Sequence, residues 1–181
     1  MIILKDIQKE DLESIMNWRM MPEITQYMNT NPKLTMEGQL KWLDSIKNNS
    51  DVRYWLIEID SEAAGVINLT GLDREDGVIG WAYYVGNLAK RSMKNALALE
   101  MSMYDYALLT LNKNAVISDV FTLNAGVIAL HKICGCEVIE EKKAAVIKEG
   151  IAYDVTYMQM SAKTWKEIRS SKKYEQVNFE I

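Results

Sequence analysis

Three apolar segments follow one another with almost nothing between them: "VRYWLIEID" at 52–60, "AAGVINLTGL" at 63–72 and "GVIGWAYYVG" at 77–86. The connections, Ser61-Glu62 and residues 73–76, are far too short for a crossover helix. The three strands must therefore run antiparallel, as a meander. Their apolar residues do not alternate cleanly with polar ones, so both faces of the sheet need covering. The helices that cover it have to come from elsewhere in the chain.

They are present on both sides of the meander in sequence. After a first strand at 2–7, Leu12, Ile15, Met16 and Arg19 recur at helical spacing over 11–20, and Pro22 ends that run. Thr35 opens a second helix, carried by Met36, Leu40, Leu43 and Ile46 and closed by Asn48-Asn49-Ser50. Downstream, Met93, Leu97, Met101, Tyr104, Leu108 and Leu111 form one stripe along a helix predicted over 92–111. A strand at 115–121 follows, then a helix at 125–133, capped by Asn124 and stopped by Gly135. Strands at 136–142 and 151–160, a turn near Glu149-Gly150 and a helix at 162–170 complete the order. Strands and helices are mixed around an antiparallel run, which defines an α+β protein.

The 181 residues, 49% of them apolar and 25% charged, fit one soluble domain, expected over 1–171 with a polar tail at 172–181. A formal net charge of −4 argues against a general nucleic-acid partner, which would need a basic face. No apolar run approaches a membrane span, and "MIILKDIQKEDLESIM" lacks the order of an export signal, so a cytoplasmic protein is expected. Cys134 and Cys136 are too few and too close for a disulfide framework. With His131 they do not match the four-ligand spacing of a structural zinc site, so no metal is expected.

The stretch "VGNLAKRSMKNALALE", 85–100, is a strand end, a polar loop and a helix start, the usual seat of a phosphate. Ser92, Lys94 and Asn95 stand where a phosphate loop usually has glycines. The residues alone fit a solvated basic helix start as well as an anion site.

The order of elements resembles the GNAT N-acetyltransferases. In that family a central strand ends in Val-Gly or Ile-Gly, and a loop of the form Arg/Gln-x-x-Gly-x-Gly/Ala opens the next helix. Arg91 and Ala96 match its ends, while Lys94 replaces the middle glycine. Asn124, Leu130-His131 and Gly135-Cys136 match the family's Asn, Leu-Tyr and Gly-Phe. "NWRMMPEITQYMNTN", "LKWLDSI", "YWLIEID" and "GVINLTGLD" look most like the branch that acetylates an amino-sugar nucleotide on the way to pseudaminic acid.

The resemblance implies a GNAT-like, mainly antiparallel sheet with a splayed strand pair and helices on both faces. It implies acetyl-CoA as acetyl donor, held by Tyr84, Val85, Arg91, Ser92, Met93, Lys94, Asn95, Ala96 and Asn124. The Val85 amide would polarise the thioester, and His131 would stand where many relatives have the tyrosine that protonates the leaving thiolate. The acceptor, a small-molecule amine, would meet Arg19, Glu23, Tyr27, Met28, Trp81 and Tyr83. A UDP-linked 4-amino sugar is preferred; protein N-termini, polyamines and aminoglycosides are alternatives. A monomer or homodimer is expected. The glutamate base of many relatives falls at Gly80 or Trp81, neither of which can act as one. That gap, Lys94 and His131 together leave open a weakly catalytic relative that binds an acyl-CoA or a partner.

Overall fold

The meander forms as its short turns require. β2 (Val52–Ile59), β3 (Glu62–Thr70) and β4 (Val78–Val85) pair antiparallel in chain order. β1 (Ile2–Lys5) adds antiparallel to β2. On the far side β5 (Ala115–Phe121) runs parallel to β4, followed by β7 (Ile151–Ser161) and β6 (Glu137–Lys148), both antiparallel additions. With β8 (Asn178–Phe179) beside β1, the sheet order is β6-β7-β5-β4-β3-β2-β1-β8. The computed structural model describes residues 1–180.

Helices cover both faces, as the apolar pattern demanded. α1 (Leu12–Met20), the short α2 (Pro22–Thr25) and α3 (Met36–Lys47) lie on one side. There Leu12, Ile15 and Leu43 bury against Leu56 and Val66. α4 (Met93–Tyr104), α5 (Ala125–Cys134) and α6 (Ala162–Ile168) cover the other, building the larger core around Trp55, Ile67, Leu99, Met103 and Trp165. Each fully buried side chain of this size contributes about 1.5–3 kcal/mol. Alternation along β4 sends Ile79, Trp81, Tyr83 and Val85 to the larger core and Tyr84 to the smaller.

Four boundaries differ from the sequence reading. β1 ends at Lys5, although Ile7 is still buried at 2% exposure. The helix expected to run straight to Leu111 widens after Tyr104 into a π-helical segment, Asp105–Thr110, where the Leu111 amide reaches back to Tyr106. That extra width turns Asp105 toward α6 and Tyr106 toward Phe179. β6 does not stop at 142: it passes an irregularity between Lys142 and Val146 and pairs on to Lys148. The polar stretch from 172 supplies β8, buries Val177 and stacks Phe179 on Tyr106 at 4.5 Å. Its few apolar residues are spaced to dock, a signal that average polarity hides.

Candidate active site

The site begins where two strands part. β4 and β5 pair only from Val78–Ala115 to Gly80–Ile117. Beyond Gly80, β4 stays in register with β3 up to Val85, and β5 stays with β7 up to Phe121. Each follows its own antiparallel neighbour, and the gap opens between them. The Gly86 amide bonds Ala64 O at 2.7 Å. Antiparallel pairs alternate between bonded and non-bonded, so the Val85 amide faces away from β3, into the gap. Gly86 itself is fixed by sterics: a Cβ there would lie 2.1 Å from the Trp18 ring of α1.

A cavity of about 560 Å³ fills the gap. One end is the loop after β4 and the start of α4. No residue from 86 to 96 has positive φ, so this turn has no need of glycine, and Lys94 fits it without strain. Ser92 caps α4, its hydroxyl accepting from the Asn95 amide at 3.1 Å. The Ala96 amide takes the Ser92 carbonyl. Among the described residues, the Met93 and Lys94 amides have no acceptor of their own, which leaves two donors at the positive end of a 12-residue helix. Arg91 bonds the Val85 carbonyl at 2.9 Å and so ties the loop to the strand end. Arg91, Ser92, Met93, Asn95 and Ala96 all line the cavity, joined by Lys90, which the sequence reading missed.

Lys94 differs from that expectation. Its side chain points out of the cavity to Glu175, 2.7 Å away, and both partners are more than half exposed. The second residue of a helix projects sideways, whereas the backbone amides point forward. Lys94→Gly is therefore expected to leave acetyl-CoA affinity unchanged by calorimetry. A large loss would mean that the ammonium, and not the backbone, grips the anion.

His131, which sequence position alone allows on a helix surface, is 3% exposed and lines the same cavity. Its Nδ1 lies 2.8 Å from Glu100 Oε1. Glu100 is wholly buried, and Tyr104 donates to the same oxygen at 2.6 Å. Tyr104 Oη is also 2.9 Å from Cys136 Sγ. Burial pushes the Cys136 thiol up to about 12, and burial with the nearby Glu100 charge holds the Tyr104 hydroxyl well above its ordinary value. Both keep their protons at neutral pH, so the chain runs Cys136 to Tyr104 to Glu100. Burial also raises the Cys134 thiol beside the carboxylate. Glu100 was not identified from sequence, although the signal existed. It sits three residues after Leu97 and four before Tyr104, a charge on the apolar stripe of α4.

Tyr84, Val85 and Asn124 line the cavity, and Asn124 also caps α5 through Val127. Burial raises the Tyr83 and Tyr84 hydroxyls. Glu23, Tyr27 and Met28 also line the cavity, as do Trp81 and Tyr83, stacked at 5.6 Å. Ser118, Asp119 and Val120 of β5 form the wall across the gap. Arg19 does not reach the cavity: it donates to Thr30 Oγ1 and O, holding the segment after α2. Lys148, beyond the expected end of β6, pins the same segment through Thr25 O and Met28 O, with its ammonium over Phe121 and Tyr153. Gly80 offers no carboxylate, and the acids on the cavity wall are Glu23 and Asp119.

A strand pair splayed around a cavity that a helix N-terminus, a strand end and a buried histidine all line fits an acyltransferase. Residues 2–137 match the acetyltransferase (GNAT) domain family, and the chain belongs to it; it is an N-acetyltransferase. Over 139 residues it is 26% identical to the acetyltransferase PseH of Campylobacter jejuni strain 81-176, covering 76% of this chain and 84% of that one. Among solved structures, spermidine N-acetyltransferase from Vibrio cholerae, in complex with CoA and spermine, superposes with a TM-score of 0.84 at 16% identity. That match covers 91% of this chain and 98% of the other. A probable acetyltransferase superposes at 0.81 with 13% identity, over 91% and 94% of the two chains. At such identities these structures speak to fold alone.

Proposed function

We propose that the protein moves an acetyl group from acetyl-CoA directly to a primary amine of a small molecule, and that its preferred acceptor is a UDP-linked 4-amino sugar. The observation that carries this reading is the Val85 amide turned into the β4–β5 gap, in a cavity that the α4 N-terminus and His131 also line. The pantetheine arm would lie along the strand edge, with the pyrophosphate on the Met93 and Lys94 amides. The amine attacks the thioester carbonyl, the Val85 N–H stabilises the oxyanion, and His131 protonates the leaving sulfur. A sugar amine, with electron-withdrawing neighbours, is neutral more readily than an alkylamine and so has less need of the missing base. Tyr27, Met28 and the stacked Trp81–Tyr83 pair suit a nucleotide and a sugar. The similarity to PseH supports the same acceptor.

A polyamine is the second reading. Glu23 and Asp119 on the cavity wall would favour a cationic acceptor, and the V. cholerae relative by fold is a spermidine enzyme. Calorimetry with acetyl-CoA, and with pantetheine as control, tests the first half of the reading. Binding that requires the nucleotide diphosphate is expected, and none at millimolar acetyl-CoA would sink it. Thiol release with a UDP-linked 4-amino sugar against spermidine then decides the acceptor. A higher kcat/KM for spermidine would overturn the sugar assignment.

A further inference from the structure

Glu100 has no role in the mechanism so far, yet it is the strangest residue in the larger core. It is a carboxylate with no solvent exposure, on the apolar face of α4. Among the described residues Tyr104 Oη and His131 Nδ1 both lie within hydrogen-bonding distance of Oε1, the Cys134 thiol sits beside the carboxyl, and Oε2 is buried without a partner. No lysine or arginine reaches it. A buried carboxylate without a cation is costly, and a purely structural core would be served as well by an apolar side chain with apolar neighbours. The one group on hand that can become a cation beside it is His131.

The geometry also divides the two imidazole nitrogens. Nδ1 faces Glu100 at 2.8 Å. Among the described residues Nε2 has no protein partner, and it is not among the sealed unpartnered atoms, which are Arg53 Nε, Trp55 Nε1 and Glu100 Oε2. Since His131 lines the cavity, Nε2 is the nitrogen left to face it. A carboxylate accepting from Nδ1–H fixes the tautomer whose Nε2 carries a lone pair. That tautomer is a base before it is an acid.

We infer that Glu100 is a positioning residue which holds His131 in the Nδ1–H tautomer, so that this one imidazole takes the proton from the acceptor nitrogen and returns it to the departing sulfur. The inference rests on the acetyltransferase reading and supplies the base that reading lacks. The amine enters neutral, and its lone pair forms the C–N bond to the thioester carbonyl. Nε2 takes one proton from the nitrogen of the adduct, giving an imidazolium whose charge faces Glu100. The C–S bond breaks, its electron pair leaves with sulfur, and Nε2–H gives that proton to the thiolate. Products are the amide and free thiol, and His131 ends as it began. The groups facing the ring are Glu100 and Tyr104 from α4, Cys134 beside the carboxylate, and Trp81 from β4, its ring 5.6 Å away. Among them Glu100 alone bears a carboxyl group.

His131 is the only histidine in the chain, so nitrogen-15 NMR of histidine-labelled protein reads one imidazole. The proton of the neutral ring is expected on Nδ1. Glu100→Gln, of the same shape, should lower kcat about 10²–10³-fold with KM for acetyl-CoA unchanged, measured with a UDP-linked 4-amino sugar and with spermidine. An Nε2–H tautomer in the wild-type protein would overturn the inference without any kinetics, even if Glu100→Gln fails to fold. So would a Glu100→Gln variant that turns over at the wild-type rate. A wild-type protein that binds acetyl-CoA but acetylates neither amine overturns the functional reading instead, and the shuttle falls with it.

Discussion

His131→Ala is expected to slow acetyl transfer about 10²–10⁴-fold, the span usually contributed by a positioned acid or base, with acetyl-CoA affinity nearly unchanged. The split follows from position. The ring pairs with Glu100, well along α4 from the loop at 91–96, so its loss removes no contact to that loop. It does remove the imidazole proposed to move the proton. Truncation also strips Glu100 of one of its two hydrogen bonds and leaves the charge facing a void, so some loss of stability, about 1–3 kcal/mol, should accompany the kinetic effect. Chemistry and folding are separated by measuring single-turnover rates below the melting transition, then adding free imidazole, which fits the space vacated and should restore part of the rate. A single-turnover rate equal to wild type would remove His131 from the mechanism.

Much of this site was readable because it depends on chain order. The meander at 52–86 could only be antiparallel, and a strand followed by a polar loop and a long apolar helix could only place a helix N-terminus near a strand end. Lys94 shows the limit of residue identity. Glycine was expected there for its backbone freedom, but the loop never enters the left-handed region, so the substitution changes little. Whether the lysine faces the cavity or Glu175 depends on a helical rotation of a few tens of degrees, which no motif carries. Arg19 is similar: the resemblance put it near the acceptor, but Thr30 captured it because the segment after α2 folds back across α1. Glu100 was hidden for another reason. Its partner His131 is distant in sequence, and pairing them requires α4 and α5 to lie side by side over β4. The tail was hidden by its composition, since Tyr174, Val177 and Phe179 dock one by one among polar neighbours.

That tail leads to the largest effect on stability. Asp105, at the start of the π-helical segment, accepts from Trp165 Nε1 at 3.0 Å, from Arg169 through two nitrogens, and from Tyr174 Oη and Gln176 Nε2. One carboxylate thus gathers α6 and the strand that closes the sheet. Asp105→Ala is expected to cost about 3 kcal/mol, because the buried Trp165 indole, the half-buried Tyr174 hydroxyl and a guanidinium lose their acceptor together. For a chain of this length that lowers the melting temperature by about 6–12 °C. Burial alone would raise the Asp105 carboxyl, but the hydrogen bonds from Arg169, Tyr174 and Trp165 outweigh it and hold it below the usual carboxylate range. A carboxyl lowered by folding stabilises fully above its unfolded value, about 3.9, and loses that contribution as the pH falls through the folded value. Wild type should therefore release its C-terminal strand to carboxypeptidase only at strongly acid pH, and Asp105→Ala should release it at neutral pH as well. The effect reaches the chemistry, because the Val177 amide bonds Ser102 on the same helix as Glu100. Once that contact is gone, α4 loses a brace two residues from the carboxylate that orients His131, and acetyl transfer should fall along with the melting temperature. An Asp105→Ala protein that melts with wild type and keeps its C-terminal strand at pH 7 would show that the strand is held by Val177 and Phe179 alone.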